Sequence, residues 1–261
     1  ENLPGVKVFE EGADLIHSGA CEAVLIATPH YQHPPLAIEA FKNGLHVMVE
    51  KPAGVYTLQV REMNAEADRH PELTFGMMFN QRTNCTYRKM HELIHSGAIG
   101  DLKRVNWIIT DWYRTQFYYD SGAWRATWAG EGGGVLLNQC PHQLDLDERE
   151  WCATCREGFR APSYETMEVE TDGQNGQHPA VLNAFAAHIL RGEPLVADGR
   201  EGINGLMLSN AIHLSSWLGR PVTLPIDEEL FLEKLNERRA TSRVKTGESV
   251  FSDTQGTYGA K

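Results

Sequence analysis

Residues 23–52 read AVLIATPHYQHPPLAIEAFKNGLHVMVEKP, and this stretch decides the fold. Ala23-Val24-Leu25-Ile26-Ala27 is a short continuous apolar run, the pattern of a parallel strand buried on both faces. Thr28-Pro29 turns the chain. Pro34-Pro35 suit the first turn of a helix, where a missing N–H costs little. Leu36, Ala37, Ala40 and Phe41 form that helix's apolar stripe, and Gly44 stops it. His46-Val47-Met48-Val49 then reads as a second buried strand, closed by Glu50-Lys51-Pro52. Strand, helix and strand at this spacing predict a β-α-β unit with a right-handed crossover.

The same alternation continues outward. Thr57 is placed to cap a helix with Leu58, Val60 and Met63 on its inner face. Leu73 to Phe79 reads as a third strand, closed by Asn80-Gln81-Arg82. A further amphipathic helix, with Tyr87, Met90, Leu93 and Ile94 facing inward, ends near Gly97. Parallel sheets bind ligands at the carboxyl ends of their strands. Thr28-Pro29, Glu50-Lys51-Pro52 and Asn80-Gln81-Arg82 all fall at that edge, so one sheet edge collects three polar clusters.

From Lys103 the texture changes. Arg104 to Trp112 is rich in β-branched and aromatic residues and predicts a strand of an open, mainly antiparallel sheet. An aromatic belt follows, from Trp112 through Tyr118, Tyr119 and Trp124 to Trp128. Gly132-Gly133-Gly134 leads into a predicted helix from Val135 to Leu146. Further helices are predicted at Pro179–Arg191, Glu201–Leu218 and Asp227–Arg239, and the last residues read as an arm or tail. The expected fold is thus α/β: β-α-β units with a parallel sheet over residues 1–101, then an α+β unit over 102–261.

Composition narrows the function classes. The chain has 261 residues, 41% apolar and 23% charged, as in a soluble globular protein. No apolar run is long enough to cross a bilayer. A formal charge of −11 disfavours nucleic acid and anionic membrane surfaces as partners. Cys21, Cys85 and Cys140 read as small buried hydrophobes. Cys152 and Cys155 form a C-x-x-C without a second half, so neither a zinc site nor a redox pair is expected. The picture is a reduced, cytoplasmic protein.

Two residues stand out as candidates for chemistry. On the predicted helix from Val135, Asn138 and His142 are four apart and share a face. The glycine triplet before them permits close backbone approach or a positive φ. A histidine presented there suits a general base, since its ordinary pKa lies near neutrality. A histidine bonded within the core is the competing reading. Lys51, at the sheet's carboxyl edge, aims an ammonium at a ligand cleft, where it can stabilise a developing alkoxide. A solvated turn lysine explains its position equally well. His30 and His33 lie just past a strand end. Trp124 and Arg125 could stack on and hydrogen-bond a sugar ring, or serve packing and ion pairing. No histidine pair has metal-ligand spacing, and no metal is expected.

Taken together, Ala27-Thr28-Pro29-x-x-x-His33, Glu50-Lys51-Pro52-Ala53-Gly54 and Gly132-Gly133-Gly134-x-x-x-Asn138-x-x-x-His142 resemble the glucose–fructose oxidoreductase/inositol dehydrogenase (Gfo/Idh/MocA) family. The match in order and spacing runs from about Gly5 to Leu146. The resemblance implies a Rossmann domain followed by a domain whose open sheet forms the interface of a homo-oligomer, dimer or tetramer. It implies that Thr28, Pro29, His33, Glu50, Lys51, Pro52 and Asn80 border NAD or NADP, NAD being preferred. It further implies that Lys51 and His142, with Asn138, carry hydride-transfer chemistry on a sugar, inositol or related polyol held by Trp124, Arg125, Asn138 and His142. The cofactor supplies the redox chemistry and the protein supplies position and charge.

Three departures from the family pattern accompany the match. The G-x-G-x-x-G loop of the pyrophosphate site is absent, as is the residue that separates NAD from NADP. The chain opens near the third strand of such a domain, and further residues are expected ahead of Glu1. A stretch of strands is expected to be missing between about Leu146 and Arg149. Asn138 stands where the family has Asp; it can hydrogen-bond a hydroxyl but cannot take a proton. Two alternatives stay open: an NAD-retaining glycoside hydrolase of the same family, and a sugar-binding relative without catalysis.

Overall fold

Three short strands, β1 (Ala23–Ile26), β2 (His46–Val49) and β3 (Phe75–Met77), pair in parallel in the order β1-β2-β3. They belong to a computed structural model that describes residues 5–100, 116–120, 122–142, 168–243 and 245. The parallel sheet is the one expected from residues 23–79. β3 is shorter than predicted. After Met77 the chain leaves the ladder, and Asn80–Thr83 coils into a 3₁₀ turn at the sheet's carboxyl edge.

Alternation along the strands sorts their side chains onto two faces. Val24, Ile26, Val47, Val49 and Met77 enter the larger core, to which four helices contribute most of the other helical residues. These are α2 (His33–Lys42), α3 (Thr57–Ala67), α8 (Gly202–Leu218) and α9 (Glu228–Ala240). Phe41, Met63, Leu214, Phe231 and Leu235 are fully or almost fully buried there, each contributing roughly 1.5–3 kcal/mol. Met48 and Met78 point the other way and meet Val181 and Phe185 of α7 (Gln177–Arg191). α7 covers β2 and β3 but not β1, where Leu25 is 47% exposed. Burial on both faces therefore holds for β2 and not for β1.

Of the other described helices, α1 (Gly12–His17) packs on α2, α4 (Cys85–His95) follows the 3₁₀ turn, and α5 (Gln116–Asp120) is a little over one turn long. No residue of α4 is buried among the described residues, so its predicted inner face is left half-covered. Thr57 begins α3 and does not cap it. Its N–H goes to Asn210 Oδ1 at 3.1 Å, while its hydroxyl has no partner among the described residues. Cys21, Cys85 and Cys140 are half-buried free thiols, not the buried ones expected. The C-x-x-C, the strand predicted at Arg104–Trp112 and the tail beyond 245 lie outside the described residues. So does the expected antiparallel sheet; the sheet among the described residues is parallel. No described helix is long and apolar enough to cross a membrane.

The free edge of β3 is closed by chain from far downstream. Met77 N–H donates to Ala197 O at 3.3 Å, and Gly76 bridges Asp198 in antiparallel sense. Asp198 then caps the turn Gly199–Glu201 that enters α8, with a reciprocal Glu201 bond. Gly199 lies flat on a ring: a Cβ there would stand 2.2 Å from Phe75 Cδ2. Gly199→Ala is expected to lower stability by about 1–3 kcal/mol through overpacking, read as a fall in the urea midpoint. An unchanged midpoint would mean that the strap is looser than this contact requires.

Candidate active site

The carboxyl edge of the sheet carries the polar groups, and each is held by a separate local device. β1 ends in Thr28-Pro29, whose hydroxyl Oγ1 is buried with no partner among the described residues. His33, at the start of α2, ties two strand ends together. Its Nδ1 lies 2.8 Å from Pro52 O and its Nε2 2.7 Å from Thr28 O. Burial holds the ring's pKa below its ordinary value against the upward pull of those two carbonyls. While the ring is neutral, one nitrogen donates to its carbonyl and the other only lies beside one, so His33 sits between the loops after β1 and β2.

β2 ends in Glu50-Lys51-Pro52. Lys51 Nζ donates to the backbone carbonyl of Asn138 at 2.5 Å. Asn138 closes α6 (Val135–Asn138), a helix of one turn. The predicted helix to Leu146 breaks here, and positions from 143 onward lie outside the described residues. Pro141 has no N–H and its ring excludes a regular bond from the turn before. Gln139 and Cys140 both donate to Val135 O instead, and helical geometry resumes at Pro141-His142. Asn138 and His142 still come to one site, but through a kinked turn and not a straight helix face.

His142 is 5% exposed, and its Nδ1 has no partner among the described residues. Burial first, then repulsion from Lys51 and His178, lowers its pKa to about 3. It is neutral at neutral pH, the form that can accept a proton. His178, at the start of α7, brings Nε2 within 3.6 Å of Glu50 Oε1. Burial raises the pKa of Glu50 against the attraction of Lys51 and His178. The wall behind Lys51 is apolar: Pro52, Ala53, Phe79, Leu137, Pro141 and Leu206 line a small recess. In such surroundings each charge acts more strongly than it would in water.

Among the described residues, the loop from 122 to 134 docks against the turn after β1. His30 Nδ1 lies 3.0 Å from Glu131 O, Tyr31 donates its hydroxyl to Trp128 O at 2.8 Å, and Trp124 meets the His30 ring edge-on. Burial, more than the nearby cations, lowers the pKa of His30 to about 3. Gly132 needs both liberties of glycine, with φ +88° and a would-be Cβ 2.2 Å from Val55 Cγ1. Arg125 stacks over the rings of Tyr118 and Trp124, 4.5 Å from each centroid, and donates to Tyr118 Oη at 2.9 Å. Among the described residues its partners are rings and a hydroxyl, not a carboxylate. Asn138 Nδ2 is turned inward, 2.5 Å from Glu131 Oε1 and 3.3 Å from Tyr118 Oη. Asn80 Nδ2 likewise donates to Gln177 Oε1 at 2.5 Å, which joins the end of β3 to α7.

The structure thus gathers Lys51, Asn138 and His142, with Glu50 beside Lys51. Thr28, Pro29, His33 and Pro52 line the same edge, and Trp124 and Arg125 lie by His30. The sequence marks Tyr118 only as part of the aromatic belt and singles out neither Glu131 nor His178 for the site. Glu131 has a local signal, a carboxylate directly before a glycine triplet; His178 is far away in sequence and has none.

Three buried histidines also shape stability. Burial holds His30, His33 and His142 below the ordinary value, whereas the unfolded chain binds these protons near about 6.5. Stability is therefore fully present above that value and is lost as pH falls toward the native pKa values. Glu50 works in the opposite direction, one carboxyl against three imidazoles. The melting temperature is expected to fall steadily between about pH 7 and about pH 5. A flat profile across that window would contradict neutral burial of these rings.

Comparison with known proteins places this geometry. Residues 1–76 match the model of an oxidoreductase family with an NAD-binding Rossmann fold, and residues 87–147 match the GFO/IDH/MocA C-terminal domain. Together the two spans cover just over half of the chain. The chain belongs to the GFO/IDH/MocA oxidoreductase family. Inositol 2-dehydrogenase of Corynebacterium glutamicum is 33% identical over 105 residues, 39% of this chain and 30% of the relative. The rhizopine catabolism protein MocA of Rhizobium meliloti is 26% identical over 141 residues, 54% of this chain and 41% of the relative. The chain thus spans well under half the length of these curated relatives. The WlbA dehydrogenase of Chromobacterium violaceum, solved with NADH and UDP-GlcNAcA, superposes with a TM-score of 0.66 at 25% identity, covering 82% of this chain and 81% of that one. WlbA of Bordetella pertussis shares the fold at 22% identity, with a TM-score of 0.67 and 85% of each chain covered. In this GFO/IDH/MocA chain the two matched spans meet at the Lys51–Asn138 contact.

Proposed function

We propose that this chain carries the nicotinamide-facing and substrate-facing residues of an NAD(P)-dependent dehydrogenase acting on a hydroxyl carbon of a sugar, inositol or related polyol. The observation that carries the reading is the meeting of Lys51 Nζ with Asn138 O beside a buried, neutral His142 at the carboxyl edge of a parallel sheet. A relative named as an inositol dehydrogenase and a fold neighbour solved with NADH and a nucleotide sugar support the substrate and cofactor classes.

The residues fit a nicotinamide cofactor. The orphan hydroxyl of Thr28 and the orphan Nδ1 of His142 are polar atoms that want a ligand, and Thr28, Pro29, Glu50 and Pro52 would hold it along the edge. When bound, the nicotinamide exchanges hydride with the substrate carbon. Lys51 supplies a fixed positive charge to the substrate oxygen and favours its alkoxide character. Asn138 O holds that ammonium in place. His142 accepts the hydroxyl proton; as hydride departs that proton becomes strongly acidic, so even a weak base suffices. Trp124 and Arg125 offer a stacking face and a donor for the sugar ring.

A thermal-shift titration of the full chain with NAD, NADH, NADP and NADPH tests the reading, since ligands of the native state raise its melting point. A rise with one redox pair, followed by nicotinamide reduction with a polyol, is the expected result. No shift with any of the four would overturn it.

A further inference from the structure

Glu131 is a carboxylate almost wholly removed from solvent, at 2% exposure. Its Oε1 accepts from Asn138 Nδ2 at 2.5 Å and its Oε2 accepts from Ala126 N–H at 3.0 Å. Both of its oxygens therefore face donors. The other end of Asn138, its backbone carbonyl, holds Lys51 Nζ at 2.5 Å. The backbone of Glu131 is fixed as well, through its own carbonyl and His30 Nδ1 at 3.0 Å. A buried negative charge thus reaches the ammonium through one intervening residue.

We propose that Glu131 is a positioning residue for Lys51, acting through Asn138, and that it supplies the buried negative charge that Asn138 itself lacks. A buried carboxylate is costly unless its oxygens are hydrogen-bonded and a cation lies nearby. Asn138, Ala126 and Lys51 meet those needs. A glutamine in place of Glu131 cannot use them: it offers one acceptor and one donor where two donors wait. With its oxygen on Ala126 N–H its amide would face Asn138, whose own amide must flip to accept that bond, and the negative charge is gone. Adding Asn138→Asp repairs the mismatch. The introduced amide would accept from Ala126 N–H and donate to the introduced carboxylate, which restores one charge and every bond.

The test compares the native chain, Glu131→Gln, and Glu131→Gln combined with Asn138→Asp. The readout is the pH dependence of Lys51 acylation by acetic anhydride, followed by peptide mass spectrometry. Losing a neighbouring opposite charge is expected to move the Glu131→Gln profile to lower pH by about one unit or more. The double variant is expected to return it to the native position or above. An unmoved profile in Glu131→Gln, or a double variant that keeps the shift, would overturn the proposal. If Glu131→Gln alone does not fold, a cooperative melt regained in the double variant supports the pairing and its loss in both overturns it.

The expected effect on turnover, a loss of about ten- to a hundredfold in Glu131→Gln recovered in the double variant, rests on the dehydrogenase reading. The acylation profile needs no substrate and no cofactor. A chain that reduces no nicotinamide but shows the shift would sink the activity and keep this inference.

Discussion

Lys51→Met is expected to lower kcat/KM for polyol oxidation by about 10²–10³-fold, the usual cost of removing a preorganised donor from a developing oxyanion. Methionine keeps the length and apolar stem of lysine while deleting the ammonium. The apolar wall of Pro52, Ala53, Phe79 and Leu137 should therefore stay in place. Among the described residues, a bond to a backbone carbonyl, that of Asn138, is given up. The melting temperature is expected to stay close to native, and nicotinamide affinity should change less than turnover. Steady-state kinetics with a polyol that the native chain oxidises make the measurement. Native turnover in this variant would remove Lys51 from the chemistry.

His142→Ala is expected to cost about 10²–10⁴-fold in turnover, the range for a positioned general base. His142 is buried and held neutral, and among the described residues its Nδ1 bonds nothing that the substitution would orphan. Stability should therefore fall by little more than the packing of one ring. Added imidazole is expected to restore part of the rate, because the deleted ring leaves space beside the substrate. A variant that is inactive because it is unfolded would show no such rescue. Full activity without the ring would place proton transfer elsewhere, with His178 and Glu50 a titratable pair at the same edge.

Much of the sheet was legible because its signals are local. A run such as Val47-Met48-Val49 between Gly44 and Pro52 admits few other readings, and strand ends set the ligand edge by topology. Lys51, Thr28 and His33 follow from that edge. Spacing puts Asn138 and His142 on one face of a straight helix, but Pro141 overrides the four-residue repeat and a kinked turn brings them together instead. Thr57 shows a similar limit: a side chain that suits a cap loses the role when Asn210, far along the chain, takes its N–H. Leu25 reads like its neighbours in sequence, and only the footprint of α7 decides that it stays exposed. Glu131 and His178 act through partners brought together by tertiary structure, and nothing periodic in the sequence marks them.

The strap from Ala197 to Gly199 bears on how the molecule is made. β3 gains a neighbour from a segment more than a hundred residues downstream, where Gly199 lies against Phe75. During synthesis the strands emerge long before the chain that seals them. Met48, Met78 and the rim of β3 stay open to other nascent chains throughout that interval. Contacts of such long sequence separation also slow spontaneous refolding.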